Sequence, residues 1–179
     1  MGAEEQLKTY ADLGFHIDAD IPDGAGILVI PHALLPVQDL IASLTLPGNS
    51  KPGIFDRNFE DPDRYRPVDA QVPTNRPYWV DGFEPGLEYL NEPPSEAVPQ
   101  ILARGRRPAT IEEGLAVFVQ NPEILQRNAC YSLAGSTRGD KRVPALWISK
   151  GAPKLGWCFA GAPHTWLGCA SVRVRPGAA

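Results

Sequence analysis

The stretch from Cys130 to Arg175 constrains this chain most. It holds three of the four tryptophans (Trp147, Trp157, Trp166), all three cysteines (Cys130, Cys158, Cys169) and His164, in a run punctuated by glycine and proline. Four segments, Cys130–Ala134, Val143–Ser149, Lys154–Ala160 and Thr165–Val172, alternate with loops bearing Gly or Pro, the pattern of sequential antiparallel strands. A four-stranded meander is therefore expected over 129–173. In its last hairpin a five-residue loop, Ala160–His164, would pair Phe159 with Thr165. That register places Leu155, Trp157, Phe159, Leu167 and Cys169 on one face, and Gly156, Cys158 and Trp166 on the other. A one-residue slip exchanges the two faces.

The first two thirds read mainly as helix. Leu7, Tyr10 and Ala11 sit at helical spacing, and Gly14 suits the residue that closes a helix near Leu13. Gly26–Ile30 is a compact apolar run before Pro31, as in a buried strand. Pro36 opens a helix with Val37, Leu40, Ile41 and Leu44 on one face. Tyr78-Trp79-Val80 reads as a strand ending at the Asp81-Gly82 turn. Ser95 is a candidate cap for a helix presenting Val98, Ile101 and Leu102, with Pro99 in its first turn and Gly105 as terminator. Thr110-Ile111-Glu112-Glu113 is a capping box ahead of Leu115, Phe118 and Val119. Between them, residues 49–77 form a long irregular loop with Phe55, Phe59 and Tyr65 as anchors; such loops are usually functional. The whole is expected to be one α+β domain, residues 1–179, with helices packed on one face of a mostly antiparallel sheet.

Composition narrows the function classes. Seventeen glycines and 19 prolines are about a fifth of the chain, enough for many ordered turns but short of the ~25–30% that marks disorder. Residues 1–105 carry 7 basic and 17 acidic side chains, a net of −10; residues 106–179 carry 10 and 4, a net of +6. The simplest account is two halves that neutralise each other on folding. A pI near 5.4 argues against a dedicated nucleic-acid binder, whose affinity rests on phosphate contacts. The acidic start Met1-Gly2-Ala3-Glu4-Glu5 is not a secretory signal, no apolar run reaches the ~18 residues of a membrane span, and an odd cysteine count suits reduced thiols. A cytoplasmic location follows as the expectation.

Several motifs are shared with a known family. Gly105-Arg106-Arg107-Pro108, Thr110–Gly114, Arg138–Ile148, Pro153–Cys158 and Pro163–Gly168, with Lys51-Pro52-Gly53, resemble segments of DUF5701, an actinobacterial family of unknown function. The likeness spans roughly residues 26–172 and is tightest after Ile101. It implies an actinobacterial cytosolic protein, and no catalytic role comes with it.

Candidate chemistry therefore rests on the residues. Cys158, His164 and Cys169 are spaced Cys-x5-His-x4-Cys, without the tight pairs of structural zinc sites, so no metal and no cofactor is expected. A Cys158–His164 pair across the last hairpin, oriented by Asp140, is the thiol-enzyme reading. Trp147, Trp157 and Trp166 beside Arg138 and Lys154 also describe a pocket for a flat or anionic small molecule. Arg138, Lys141 and Arg142 could bind an anion, although Gly135–Lys141 lacks the spacing of a phosphate loop. The leading expectation is a small-molecule-binding protein, with a cofactor-independent enzyme as its catalytic form, His164 as acid–base group or hydrogen-bond donor, Asp140 its orienter and Lys154 or Arg138 the anion contact. The rival is a protein-interaction module using the acidic half and the 49–77 loop; a homodimer stays open, and no nucleic-acid or membrane partner is expected.

Overall fold

A computed structural model describes residues 1–174 of the chain. In order, it contains α1 (Ala3–Asp12), β1 (Ile27–Val29), α2 (Val37–Ser43), β2 (Ile54–Phe55), β3 (Arg66–Pro67), β4 (Tyr78–Glu84), α3 (Pro94–Ala103), β5 (Arg106–Pro108), α4 (Ile111–Gln120), β6 (Cys130–Ser132), β7 (Ser136–Thr137), β8 (Arg142–Ser149), β9 (Ala152–Phe159), β10 (Leu167–Cys169) and β11 (Ser171–Arg173). The fold is α+β, with antiparallel pairing dominant.

Local chemistry explains the helices. Glu4 and Glu5 sit in the first turn of α1, where the helix dipole favours negative charge, and Gly14 leaves it at φ +94°. Gln6 and Tyr10, one turn apart, are its buried pair. The capping box of α4 is complete: the Glu113 N–H donates to the Thr110 hydroxyl (3.2 Å) and the Thr110 N–H to the Glu113 carboxylate (2.9 Å). Nearly every side chain of α4 is buried, so this helix runs through the core rather than over it. Helix α3 departs from expectation at its start. Pro94 takes the first helical position, and the Ser95 N–H donates to the Ala160 carbonyl instead of Ser95 capping the helix. Pro99 lies inside α3, and Ala97 and Ile101 face the core while Leu102 is exposed.

Two sheets carry the architecture. The first has the order β1-β4-β11-β5, and the second β10-β6-β8-β9-β2. β4 does not stop at Asp81; it runs on to Glu84, with Gly82 at φ +58° and an irregularity opposite Ser171 and Arg173. The 49–77 segment is less irregular than expected, since β2 pairs with β9 and β3 with β7.

The expected four-stranded meander is only three strands long. β6, β8 and β9 pair antiparallel in sequence, Tyr131 opposite Leu146 and Leu146 opposite Leu155. The chain then crosses over the sheet rather than turning back on β9. Its 160–166 segment is held by the Ser95 N–H on the Ala160 carbonyl, the Asn91 N–H on the His164 carbonyl and the Cys130 N–H on the Trp166 carbonyl. This delivers β10 parallel to the far strand β6, Leu167 opposite Cys130. Thr165–Val172 is thus two strands in two sheets, divided at Ala170, and Phe159 does not pair with Thr165; its partner is Arg142.

The corrected register also reassigns the faces. Tyr131, Leu146, Leu155, Trp157 and Phe159 share one face, where Tyr131 donates to the Gly114 carbonyl of α4 (3.1 Å). Cys130, Trp147, Lys154, Gly156 and Cys158 share the other, joined by Leu167 and Cys169. At this second face's β10 end, Cys169 packs with Tyr89 and with Ala97 and Ile101 of α3.

Candidate functional site

The crossover brings some of the sequence-predicted residues together. Trp166 meets Trp147 edge to face at 5.9 Å, and His164 lies 5.2 Å from Trp166. Trp147 in turn covers Gly156, where a Cβ would come within 2.2 Å of the indole. Lys154 pairs with Asp56 at 3.3 Å. The Asn58 N–H bond to Asp56 is the main reason that carboxyl sits below its usual range, with Lys154 adding to it against the cost of partial burial. Trp147, Lys154, His164 and Trp166 therefore form one aromatic shelf on the sheet.

The Cys–His–Asp constellation does not assemble. The Asp140 carboxylate engages Arg138 and Arg142 at 3.5 and 3.7 Å, beside the ring of Trp157 on the opposite face. No hydrogen bond among the described residues joins Cys158 to His164. Burial pushes the Cys158 thiol up to about 12 and that of Cys169 to about 11, with Cys130 also raised by burial, so all three are protonated near neutrality. They are free, buried and packed. Among the described residues no three His, Cys, Asp or Glu side chains converge as a metal site.

A cavity opens elsewhere. About 860 Å³ lies between the Asp18–Pro22 segment, the 69–78 segment and the ends of β4, β5 and β11. Two of its lining residues, Tyr78 and Arg107, are bonded to Glu113, which is fully buried and lies outside the lining. Arg107 donates to both Glu113 oxygens (2.8 and 2.6 Å), the Tyr78 hydroxyl donates to Oε1 (3.1 Å), and the Thr110 N–H completes the set (2.9 Å). A buried charge is tolerated when it is paired and its remaining lone pairs are used, and here four donors serve one carboxylate. The Glu of the capping box thus also fixes Arg107 and Tyr78 at the cavity wall. Burial, reinforced by the negative Glu113 and Glu112, raises Tyr78 well above the usual phenol, so its hydroxyl is a donor and not a base.

The walls are held in place individually. The Trp79 indole N–H donates to the Asp20 carbonyl (2.9 Å), which ties the Asp18–Pro22 segment to β4. Asp69 accepts from the Gln71 N–H (2.9 Å) and reaches Arg107 at 3.8 Å. Val72, Pro73 and Val80 supply apolar surface, and Arg76 and Arg173 add positive charge against Asp18 and Asp20. Among the described residues the lining holds no Cys, Ser or His; it offers contacts of both signs and an aromatic wall.

None of these cavity residues stood out as a site from sequence, because they come from five separate segments. One signal was present. Arg106 and Arg107 are adjacent in a short strand between Gly and Pro, and alternation forces them to opposite faces. Both are buried for the most part, Arg106 donating to the Ser171 hydroxyl (2.8 Å) and Arg107 to Glu113.

The Gly105–Pro108 strand and the Thr110–Gly114 box that build this wall are among the segments that carry the family likeness, and the family's model matches residues 3–178. The chain belongs to the DUF5701 family. That family is described as one of unknown function. No curated protein and no solved structure matches the chain significantly. Membership therefore extends over essentially the whole chain without assigning a reaction. Among the described residues no helix is long and apolar enough to cross a membrane.

Proposed function

We propose that this protein binds a small molecule in the cavity between the Asp18–Pro22 segment and the 69–78 segment. The observation that carries the reading is the cavity itself: about 860 Å³, in the range of ligand sites, backed by a pre-formed Arg107–Glu113–Tyr78 group. Because Arg107 is already neutralised by Glu113, it presents a fixed donor edge rather than a free charge. Arg76 and Arg173 then serve an anionic group, and Asp18 and Asp20 accept hydroxyl or ammonium donors. A polar ligand carrying groups of both kinds suits such a lining, with one flat portion against Trp79. The absence of a thiol, serine or imidazole from the lining favours binding over covalent catalysis.

The test is native mass spectrometry of freshly purified protein beside Ala19→Trp, which fills the cavity from its wall, and Arg76→Glu. A co-purifying mass in the wild type that is lost from both variants supports the reading. A mass retained in Ala19→Trp, or no ligand from a metabolite-extract titration followed by tryptophan fluorescence, overturns it.

A further inference from the structure

The loop between β7 and β8 has a donor arrangement that the cavity does not use. Pairing of β3 with β7, Arg66 opposite Thr137, sets Tyr65 beside this loop. Tyr65 stacks on Phe59 with centroids 5.2 Å apart and planes within 10°. The Arg138 guanidinium lies 5.9 Å above the Tyr65 ring, and that of Arg142 lies 5.2 Å above Trp157. Trp157 is fixed by its indole N–H bond to the Asn58 carbonyl (2.8 Å). Two guanidiniums thus lie within cation–π range of two anchored rings, side by side around Asp140.

Those edges are poorly satisfied. Asp140 sits 3.5 Å from Nε of Arg138 and 3.7 Å from Nε of Arg142, within ion-pair range but long for a hydrogen bond. Its other oxygen is taken by the Arg142 N–H (2.9 Å). The Arg138 side chain is only 12% exposed, yet its hydrogen bond to the Glu60 carbonyl is a long one, 3.4 Å. The Tyr65 hydroxyl is buried and, among the described residues, meets no partner in full hydrogen-bond geometry; Arg138 is the group that approaches it. A buried hydroxyl served only by the approach of a largely covered guanidinium is weakly satisfied, and such groups are rare in native proteins.

Charge points the same way. Residues 137–142 hold three cations, Arg138, Lys141 and Arg142, and one carboxylate, Asp140. On the adjoining 56–63 segment Asp56 pairs with Lys154 and Asp61 with Arg64, while Glu60 and Asp63 enter no ion pair among the described residues. We infer that Arg138, Arg142 and the Tyr65 hydroxyl form an oxyanion site that takes a phosphate group, with Asp140 as its displaceable occupant in the free protein. Two planar forks and a phenol are donors only, or donors by preference, and match the oxygens of a phosphate better than one carboxylate held at arm's length. Asp140, 43% exposed, can swing to solvent as the anion enters. Phosphate could arrive free or on a small organic carrier, for which Trp157 and the exposed Phe159 ring beside it (4.9 Å) offer a platform.

Calorimetric titration with inorganic phosphate and with phenyl phosphate decides the matter. Equal affinities identify free phosphate; tighter phenyl phosphate identifies an organic phosphate. Arg138→Ala and Arg142→Gln should each weaken binding by about tenfold, and Tyr65→Phe by several-fold, with melting curves confirming the fold. Asp140→Asn should tighten binding, because it removes the competing carboxylate. Ala19→Trp should leave it unchanged, so failure of the cavity proposal and of this one are distinguishable. No binding of either probe up to about 10 mM, unaltered affinity in Arg142→Gln, or weaker binding in Asp140→Asn overturns the inference.

Discussion

Gln6 serves Leu28 as a neighbouring strand would. Its side-chain carbonyl accepts the Leu28 N–H (2.9 Å) and its amide donates to the Gly26 carbonyl (2.7 Å), so one helix side chain closes the outer edge of β1. The residue is 1% exposed. Gln6→Ala leaves both backbone groups buried and unpaired, and should cost about 2–4 kcal/mol in urea unfolding. Gln6→Glu keeps the acceptor but loses the donor, and should fall between Ala and wild type only at low pH, where the carboxyl is protonated.

Breaking the buried ion pair should cost far more than its surface counterparts. Glu113→Ala strands Arg107 inside the protein and is expected to destabilise by about 3–5 kcal/mol. Tyr78→Phe removes a single donor and should cost about 1 kcal/mol. The exposed Lys8–Asp12 pair, by contrast, should show less than about 1 kcal/mol in a double-mutant cycle.

The thiols give a pH dependence of defined sign. An unfolded thiol ionises near pH 9, while burial holds Cys158 to about 12 and Cys169 to about 11 in the folded chain. Above pH 9 the unfolded state loses protons that the folded state keeps. The thiol contribution to stability should therefore be flat below pH 8 and then fall, each thiol adding a slope of up to about 1.4 kcal/mol per pH unit. Native protein should also resist thiol reagents at pH 8 until denaturant is added; rapid labelling of Cys158 in the folded protein would contradict this burial.

Two glycines test the packing of β10. A Cβ on Gly168 would come within 2.5 Å of the Gly86 carbonyl oxygen and 2.6 Å of that of Pro85, and backbone cannot step aside as a side chain can. Gly168→Ala should cost about 3 kcal/mol or more. Gly161→Ala, facing open space in the same crossover, should be nearly neutral. Comparable melting temperatures for the two variants would refute the close approach.

What the sequence revealed was local. The capping box at Thr110 and Glu113, the helix closure at Gly14 and Gly105, and the aromatic anchors Phe59 and Tyr65 each depend on neighbours a few positions away, and the structure has all of them. The pairing of Leu167 with Cys130 is not local. A hairpin and a crossover from Phe159 share the same alternation, and only the hydrogen bonds from Asn91, Ser95 and Cys130 select the crossover. That single choice places His164 beside Trp166, while Asp140 engages Arg138 and Arg142. Likewise Tyr78, Arg107 and Glu113 look like an ordinary strand tyrosine, one of two arginines and a helix cap until the fold makes them one cluster.

The switch at Ala170 has a consequence for how the chain reaches this state. β11 lies between β4 and β5, and β10 completes the edge beside β6, so both sheets wait for the same short stretch, 167–173. During synthesis those residues leave the ribosome after every strand they join. Until then the first sheet has a gap between β4 and β5, and the second, though β6 already pairs with β8, has an open edge on the other side of β6. The two sheets should accordingly gain protection from hydrogen exchange together and late, as a single cooperative unit with no stable N-terminal half.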